Sequence, residues 1–315
     1  MQDMLSIGLP VYNEENFISE TLNSILSQTY TNFELIISDN NSTDSTKKII
    51  EKFEKKDKRI NFIKNKDNIG MINNFNLVFK KSKGKYFMWA GAHDILNQNY
   101  VKFLIEELEK NSNRVTLAFS DVGHIDNKGE IILKHKNIGF DNGHLGYFSK
   151  NLKLPFMLKN SGDMVYGVFQ RKHLPKTKLL SKMLWPDVLL IHEVSAFGKI
   201  KKINSPLRYR RYPNYIEPKD AFEVNKPWNE KYKIKVKNQR KSIKNKVTWD
   251  LYLPTLVLSI KIFLRLGLFK IHKNPLSIFW ALYFSLVFLW KHRYGFLIDF
   301  RNFGSFIINR ENKNK

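Results

Sequence analysis

The fold follows from residues 4–44, which read MLSIGLPVYNEENFISETLNSILSQTYTNFELIISDNNSTD. This segment opens with one apolar run of strand length, Met4–Leu9, which is broken by Pro10, and it closes with a second such run, Phe33–Ser38. Between them, apolar residues recur at helical spacing. The pattern therefore predicts a strand, a helix and a second strand.

The same alternation continues along the chain to Phe119. Further strands are predicted at Ile60–Ile63, Tyr86–Trp89 and near Val115–Phe119. Helices are predicted between them, from Asp44 through Lys55, around Met71–Phe79 and over Tyr100–Leu108, with Asp44 as the cap of the first of these three. Strands that alternate with helices of about ten residues predict an α/β fold, a mainly parallel sheet with helices on both faces.

Three polar clusters follow the carboxyl ends of predicted strands. They are Pro10–Glu14, Asp39–Asp44 and Gly91–Asp94. Ligands of such sheets bind beyond the carboxyl ends of the strands, so we expect the three clusters to converge on one edge. Asp39 can accept hydrogen bonds from a ligand there. Helix capping is the alternative interpretation of the Asp39–Asp44 cluster, because Ser, Thr and Asp favour helix starts.

Together with Asn68-Ile69-Gly70, these clusters resemble the motifs of the family-2 glycosyltransferases, which have the nucleotide-diphospho-sugar transferase (GT-A) fold. The resemblance covers about residues 4–215 and implies a catalytic domain over residues 1–215. It implies transfer of a sugar, with inversion, from a nucleotide-diphosphate donor to a saccharide or lipid-linked acceptor. The expected donor is a UDP-sugar, with GDP or dTDP as alternatives, and the expected setting is synthesis of a bacterial cell-surface polysaccharide such as capsule or lipopolysaccharide.

The resemblance also implies a set of donor-binding residues. In the family, the first Asp of the second cluster contacts the base, and arginines approach the diphosphate, whose oxygens suit the guanidinium fork. An ordinary turn is the alternative for Asn68, and a charged surface is the alternative for the arginines. The implied donor-binding residues are Pro10, Tyr12, Glu14, Asp39, Asn68, His93, Arg210 and Arg211.

A metal site is expected at Ala92-His93-Asp94, where the family usually has an Asp-x-Asp or Asp-Asp pair. Asp94 and His93 are the expected ligands of a divalent cation, Mn or Mg, which would spread the charge of the departing diphosphate. One acidic residue of the family pattern is replaced in this chain. A catalytically inert relative that only binds sugar nucleotides therefore stays open as an alternative.

The acceptor hydroxyl needs a base, and Asp187 is the predicted one. Trp185-Pro186-Asp187 precedes an apolar helical stretch and resembles the acceptor-side segment of the family. A helix N-cap is the other interpretation of Asp187. Asp163, Asp121 and Glu193 are the alternative bases.

Composition narrows the remaining classes of function. Lys and Arg number 53 against 29 Asp and Glu, a net charge of +24 that attracts polyanions. Nucleic-acid binding is disfavoured, because the basic run 231–246 contains one aromatic residue and no recognised module occurs. A sugar nucleotidyltransferase is disfavoured, because residues 12–15 are acidic where a triphosphate needs positive charge. The chain has no cysteine, which excludes disulfides and a Cys nucleophile.

The carboxyl-terminal third is expected to associate with a membrane. Residues 216–247 are interpreted as a basic linker and residues 248–315 as a helical membrane-associating region. Asn274–Trp290 is 17 residues long without a charge, slightly short of a span, and Lys273 and Lys291 flank it. We expect peripheral or monotopic seating on the anionic cytoplasmic face of the cell membrane. A true or re-entrant span and a buried helix are the alternatives.

Overall fold

The computed structural model describes residues 3–110, 114–145, 161–182 and 186–212, together with isolated positions between 260 and 290. These residues belong to two compact units. The first unit comprises Met1–Leu145, Leu158–Ser181 and Leu190–Tyr215, and the second comprises Gly146–Met157, Lys182–Leu189 and Ile216–Lys315. The predicted basic linker, 216–247, lies outside the described residues, as does most of the predicted membrane-associating region.

The described elements follow the predicted alternation through α4. The strands are β1 Leu5–Val11, β2 Phe33–Asp39, β3 Ile60–Lys64, β4 Tyr86–Trp89, β5 Ile95–Leu96, β6 Val115–Ile125, β7 Ile131–Lys136, β8 Val168–Gln170 and β9 Lys199–Arg211. The α-helices are α1 Ile18–Leu26, α2 Thr46–Glu54, α3 Met71–Lys80, α4 Tyr100–Glu109 and α5 Pro186–Ser195. Two 3-10 helices cover Ser161–Tyr166 and Arg171–Lys176.

The sheet is mixed, with the order β3-β2-β1-β4-β8-β6-β9-β5 and with β7 paired to β6. Strands β3, β2, β1 and β4 are parallel to one another. Strand β8 is antiparallel to both β4 and β6, and β5 is antiparallel to β9. The prediction of a mainly parallel sheet was therefore wrong beyond β4. Three strands run against the others, β5, β7 and β8. Of these, β5 and β8 have only two and three residues, too few to show a periodicity in sequence.

Strand β1 continues through Pro10 to Val11, so the prediction that Pro10 breaks this strand was wrong. Pro10 pairs in register with Ser38 of β2. On the other side, β4 pairs with β1 only as far as Gly8. Proline is compatible with a strand position whose N–H side has no ladder partner, and Pro10 lies at such a position among the described residues.

The two faces of β1 are covered by different helices. Leu5, Ile7 and Leu9 are fully buried in a core that also contains residues of α1, α2 and α4. Gly8 points the other way, where a Cβ would lie 2.7 Å from Cγ2 of Val78 in α3. Because successive side chains of a strand alternate between faces, α3 covers the opposite side of the sheet. The prediction of helices on both faces is confirmed, and the absence of a side chain at position 8 lets α3 approach closely.

The carboxyl ends of the parallel strands meet at one edge, which we call the polar edge. Val11 of β1 is level with Asp39 of β2, and Gly8 is level with Trp89 of β4. The loops after β1 and β2 therefore start side by side, and the loop after β4 starts next to them, three residues before the end of β1. They contain the three polar clusters found in the sequence.

Candidate functional site

The loops after β1 and β2 are joined by the side chain of Asn13. Its Oδ1 accepts a hydrogen bond from the Thr43 N–H at 2.9 Å, and its own N–H donates to Ser42 Oγ at 2.9 Å. Asn13 has φ of 54° and Asn41 has φ of 63°, in the left-handed region that Asn tolerates better than most residues. The choice of Asn at both positions gives these loops their tight, mutually supporting shape.

The acidic residues of these loops bind backbone N–H groups. Asp44 Oδ1 accepts from Thr46 N–H at the start of α2, 3.0 Å away, and Oδ2 accepts from Glu15 N–H at 3.2 Å. Burial alone would raise the pKa of Asp44, but the hydrogen bonds from Thr46 and Glu15 outweigh it and hold the pKa below its ordinary value. Asp44 therefore binds the first N–H of α2, although Ser45, and not Asp44, directly precedes the helix.

Asp39 is the last residue of β2 and is only 2% exposed. Its Oδ1 accepts two hydrogen bonds from Ser42, from the N–H at 3.1 Å and from Oγ at 2.5 Å. No described residue donates to its Oδ2. One carboxylate oxygen thus shapes the loop, and the other is available to a ligand. Tyr12, which the resemblance implies as a donor-binding residue together with Pro10, directly follows β1 and is 46% exposed.

Asn68 joins the same edge through Asn40. The Asn40 Nδ2 donates to Asn68 Oδ1 at 2.8 Å, and Asn40 Oδ1 accepts from the Ile69 N–H at 2.9 Å. Asn68 Oδ1 also accepts from the Gly70 N–H at 2.9 Å. Gly70 has φ of 83°, so this turn before α3 needs a residue without a side chain. Asn68 therefore lies beside the loop after β2, while its contact with a nucleotide stays a prediction.

His93 and Glu14 connect the loop after β4 to the loop after β1. The His93 Nδ1 lies 3.0 Å from Glu14 Oε1. This hydrogen bond raises the pKa of His93 above its ordinary value, against the effect of burial, and the nearby carboxylate of Asp94 acts in the same direction. The His93 side chain stays 35% exposed, so the pair faces the polar edge.

Asp94 is buried against β9 and is only 4% exposed. Its Oδ2 accepts from Arg208 Nη1 at 2.5 Å, and its Oδ1 accepts from the Arg211 N–H at 3.3 Å. The pairing of β5 with β9 brings Arg208 level with Leu96, two residues after Asp94. A Cβ at Gly91 would lie 2.8 Å from Asp94 Oδ2, so glycine makes room for this carboxylate.

A second carboxylate completes the cluster on β9. Asp163 Oδ1 accepts from Arg208 Nη2 at 2.8 Å and from Arg210 Nη1 at 3.0 Å. Burial would raise the pKa of Asp163, but the two arginines outweigh it and the pKa lies below its ordinary value. We call Asp94, Asp163, Arg208 and Arg210 the arginine cluster. Asp163, one of the alternative bases, is held as an ion by this cluster.

The two arginines predicted to bind the donor differ in exposure. Arg210 keeps 41% of its side chain exposed, with its guanidinium 5.1 Å from the centre of the Tyr212 ring. Arg211 keeps 1% exposed and donates to the carbonyl oxygens of His93 and Asp126 and to the carboxylate of Glu20. A buried guanidinium with these partners serves the fold. The structure therefore favours Arg210, and not Arg211, as a residue that meets a ligand.

The described residues do not fit the predicted divalent-cation site. Both oxygens of Asp94 are engaged by β9, and Arg208 supplies the positive charge that a cation would bring. His93 Nε2 lies 4.0 Å from Asp94 Oδ1, and His93 Nδ1 is bound to Glu14. Within the described ranges, no group of three His, Asp or Glu side chains is arranged to hold a metal ion.

The predicted base, Asp187, lies in the first turn of α5 and in the second unit. Its Oδ1 accepts a hydrogen bond from the Val188 N–H at 2.9 Å. Its role as a base stays a prediction. Of the alternatives, Glu193 is buried and accepts from the Lys178 N–H at 3.2 Å, and Asp121 is bound to Lys202 and His135.

Sequence reasoning missed Arg208 as a site residue, although Arg208 lies at the centre of the arginine cluster. The signal was present in the alternation of Arg208 and Arg210 along a strand, which places both side chains on one face. It also missed His135, which has no neighbouring motif in the sequence.

Comparison with known proteins identifies the same region. Residues 6–161 match the family model described as glycosyl transferase family 2. An uncharacterized glycosyltransferase of Haemophilus influenzae is 39% identical over 110 residues, which are 35% of this chain and 34% of that protein. Glycosyltransferase GlyA of Streptococcus pneumoniae is 32% identical over 108 residues, 34% of this chain and 15% of GlyA. The matched segments are thus only 34% and 15% of the length of these two relatives.

Solved structures share the fold over most of the chain. Staphylococcus aureus TarS, residues 1–349, in complex with UDP-GlcNAc has a TM-score of 0.55 and 17% sequence identity, and the match covers 93% of this chain and 92% of that one. The mannosyltransferase PcManGT of Pyrobaculum calidifontis, in complex with GDP-Man and Mn2+, has a TM-score of 0.50 and 13% identity, covering 99% and 88%. At these identities the likeness shows the fold alone, an α/β arrangement of the GT-A type with a mixed sheet.

Proposed function

Because residues 6–161 place this chain in glycosyltransferase family 2, we propose that it transfers a sugar from a nucleotide-diphosphate donor to a hydroxyl group of a saccharide or lipid-linked acceptor. The observation that carries the proposal is Asp39, a buried carboxylate at the polar edge with one oxygen held by Ser42 and the other available. Two structures with the same fold are complexes with UDP-GlcNAc and with GDP-Man, which supports a nucleotide-sugar donor.

The donor is proposed to be a UDP-sugar. Asp39 Oδ2 accepts the imide N–H of uracil, while Tyr12 and the loop held by Asn13 border the base. A hydrogen bond to a charged group is worth about 1.5 to 3 kcal/mol, enough to select a base that offers a donor at that point. Arg210, with its exposed guanidinium, is placed to approach phosphate oxygens, for which its planar fork is suited.

The transfer is proposed to proceed with inversion, by direct displacement. The acceptor oxygen forms a bond to the anomeric carbon while the bond from that carbon to the diphosphate breaks. Asp187 takes the proton of the acceptor hydroxyl, which makes the oxygen a better nucleophile. The manganese ion in PcManGT supports use of a divalent cation, which would stabilise the departing diphosphate, but the ion pair of Asp94 with Arg208 argues against Asp94 as its ligand.

Nucleotide sugars tested for protection against thermal unfolding check this proposal. We expect UDP and at least one UDP-sugar to raise the unfolding temperature, because a ligand that binds only the folded state stabilises it. Asp39→Ala should abolish the shift, and Asp57→Ala, which removes a carboxylate before β3, should keep it. No shift with UDP-, GDP- or dTDP-sugars, with or without manganese, would rule out the donor site.

Release of UDP from the donor separates an enzyme from an inert relative. The purified full-length chain is expected to release UDP slowly from the UDP-sugar that protects it best. Asp187→Ala should abolish the release while the thermal protection by UDP stays as in the wild type. Protection by the donor without any release of UDP in the presence of manganese or magnesium would favour the inert relative.

We further propose that the carboxyl-terminal region seats the chain on the anionic cytoplasmic face of the membrane, peripherally or as a monotopic protein. Among the described positions, no helix has the length and apolar character that crossing a membrane requires. Four helical positions, 279, 282, 286 and 290, carry Phe, Leu, Leu and Trp side chains that are 48% to 70% exposed. Intervals of three and four residues place these side chains on one face of a helix.

Basic residues near this apolar stripe suit an anionic surface. Lys273 precedes the stripe, and Lys291 and Arg293 follow it. Co-sedimentation with phosphatidylglycerol-containing vesicles should capture the chain, and Leu282→Ser with Leu286→Ser should reduce capture several-fold. Ile260→Ser, which replaces an exposed apolar residue outside the stripe, is the control. Equal capture of the two variants would contradict the proposal.

A further inference from the structure

A buried carboxylate on β6 holds a half-exposed histidine. Asp121 is 1% exposed, and its Oδ2 lies 2.8 Å from His135 Nε2. A carboxylate can only accept, so Nε2 carries the proton. In the neutral ring, Nδ1 then has a free lone pair, and no described residue donates to it. With 48% of the His135 side chain exposed, this nitrogen is available to a ligand.

Asp121 does not need His135 to compensate its charge. Lys202, whose side chain is 9% exposed, lies 3.3 Å from Asp121 Oδ1. The Ile138 N–H donates to the same oxygen at 3.0 Å. The carboxylate is therefore already paired and hydrogen-bonded. The additional contact fixes the ring of His135 in one orientation and one tautomer, as carboxylates do for histidines that act on a ligand.

Strand registers place this pair at the polar edge. Phe87 of β4 and Leu117 of β6 both pair with Phe169 of β8, and β4 and β6 run in the same direction. Gly91 and Asp121 each lie four residues further on. Asp121 is thus level with the loop after β4, at two strand spacings or about 10 Å to the side.

The pair lies on the far side of the edge from the base-binding residues. Asp39 is on β2, and the sheet order β2-β1-β4-β8-β6 puts Asp121 four strand spacings, about 19 Å, from it. A donor whose base is at β2 and whose diphosphate lies toward β4 leaves β6 for the second substrate. A saccharide offers hydroxyl groups, which donate hydrogen bonds to a free imidazole nitrogen.

We propose that His135 Nδ1 accepts a hydrogen bond from a hydroxyl group of the saccharide acceptor, and that Asp121 is the positioning residue that orients the ring and selects the tautomer with its proton on Nε2. The inference rests on the proposed glycosyl transfer and deepens it by naming an acceptor-binding residue. His135 binds and orients the acceptor in this role, and the donor does not contact it.

Kinetics of full-length His135→Ala test the proposal, with the UDP-sugar chosen by thermal protection and para-nitrophenyl glycosides of common hexoses as acceptor probes. We expect the KM for the glycoside to rise about tenfold, since one hydrogen bond of ordinary strength is lost. Thermal protection by UDP and donor hydrolysis without acceptor should stay as in the wild type. His135→Asn, whose Oδ1 replaces Nδ1 as an acceptor, should recover part of the loss.

The exposed His144 on the segment after β7 provides the control, His144→Ala. Equal KM values for the His135→Ala and His144→Ala variants would overturn the proposal. The wild type could hydrolyse the donor without glycosylating any of the probes. In that case, NMR signals of the His135 imidazole that do not change at a saturating concentration of probe would also overturn the proposal. If the wild type binds no nucleotide, that result contradicts the proposed glycosyl transfer itself.

Asp121→Asn distinguishes positioning from simple packing. The amide can donate to Nε2, which moves the ring proton to Nδ1 and turns the acceptor into a donor. The nitrogen chemical shifts of His135 should report this change of tautomer, with a rise in the KM for the glycoside similar to that of His135→Ala. If the tautomer of His135 does not change in this variant, the role of Asp121 is refuted. It is also refuted if the variant folds and the tautomer changes but the KM for the glycoside does not.

Discussion

The loops after β1 and β2 and the arginine cluster border the same polar edge, but different forces hold them. In the loops, side chains of Asn13 and Asp44 bind backbone N–H groups close to solvent. In the cluster, Arg208 bridges two carboxylates and is 3% exposed. An exposed hydrogen bond is worth about 0.5 to 1.5 kcal/mol, whereas breaking a buried ion pair costs about 3 to 5 kcal/mol.

This difference indicates that the loops bind a ligand, whereas the arginine cluster stabilises the fold. The loops leave polar atoms available to a ligand, such as Asp39 Oδ2, and tolerate small adjustments. The cluster uses its charges internally and fixes the loop after β4 to β9. Substitutions in the loops should therefore change binding more than stability, and substitutions in the cluster the reverse.

The largest effect is expected from Arg208→Met. Asp94 and Asp163 would stay buried without their shared cation, so we expect the free energy of unfolding to fall by about 3 to 5 kcal/mol. Urea denaturation measures this. Adding Asp94→Asn to Arg208→Met should recover part of the loss, because one uncompensated charge is removed. If the free energy of unfolding falls by less than about 1 kcal/mol, as it does for an exposed ion pair, the cluster is no more important for stability than the loops.

Asp39→Asn should weaken binding of UDP by about 10- to 100-fold with little change in stability. Ser42 donates two hydrogen bonds to Oδ1, which keeps the amide oxygen there and presents the NH2 group to the ligand. A donor would then face the N–H of uracil. Calorimetric titration with UDP checks this, and Asp57→Asn is the control. Unchanged affinity for UDP would show that Asp39 only shapes the loop.

Asn13→Ala should lower the free energy of unfolding by about 1 kcal/mol, because Ala adopts the left-handed region less readily and loses the hydrogen bond to Thr43. Asn13→Gly keeps the backbone conformation and loses only the hydrogen bond. Urea denaturation of the two variants separates conformation from bonding. Greater destabilisation by Gly than by Ala would contradict the assigned backbone role.

Acid should weaken the arginine cluster. The folded-state pKa of Asp163 is lowered, so the unfolded chain takes up the proton first as the pH falls. Its stabilisation is complete above the ordinary carboxyl pKa of about 4 and is lost as the pH falls through the folded value. Asp163→Asn should make the free energy of unfolding depend less steeply on pH in that range. An unchanged slope would show that Asp163 is not held as an ion.

For His93 we expect stability to depend on pH in the opposite direction, and we expect the smallest effect. Its folded-state pKa is raised by the hydrogen bond to Glu14, so the stabilisation is present below the ordinary value of 6.5 and fades as the pH rises through the folded value. Glu14→Gln should reduce this decline between about pH 6 and 8. The effect is small because His93 is partly exposed and solvent screens the pair. Urea denaturation at both pH values measures it, and an identical slope in the variant would contradict the pairing.

The sequence predicted the first half of the fold well because each element there is long enough to show its period. Residues 4–44 alone contain a strand, a helix and a strand in the observed order. The short strands β5 and β8 carry no readable period, and both run antiparallel to their neighbours. The prediction of a mainly parallel sheet failed beyond β4 for this reason.

For the site, the polar residues at the strand ends could be predicted from the sequence, but the residues they pair with across the fold could not. The loop residues Asn13, Asp39 and Asp44 follow strands directly, so parallel strands necessarily bring them to one edge. Arg208 and Asp94 are 114 residues apart, and only the pairing of β5 with β9 brings them together. That pairing turned an expected cation ligand into one half of a buried ion pair.

The sequence by itself determined which polar residues stand at the ends of β1, β2 and β4, because strand period and turn chemistry are local properties of the chain. The tertiary structure decided how the charges are used. Burial removes water from a carboxylate and forces it to find a partner, and the nearest partner depends on which strands are neighbours. Hence Asp39 keeps an oxygen available to a ligand, Asp94 forms an ion pair with Arg208, and Asp121 orients a histidine on another strand.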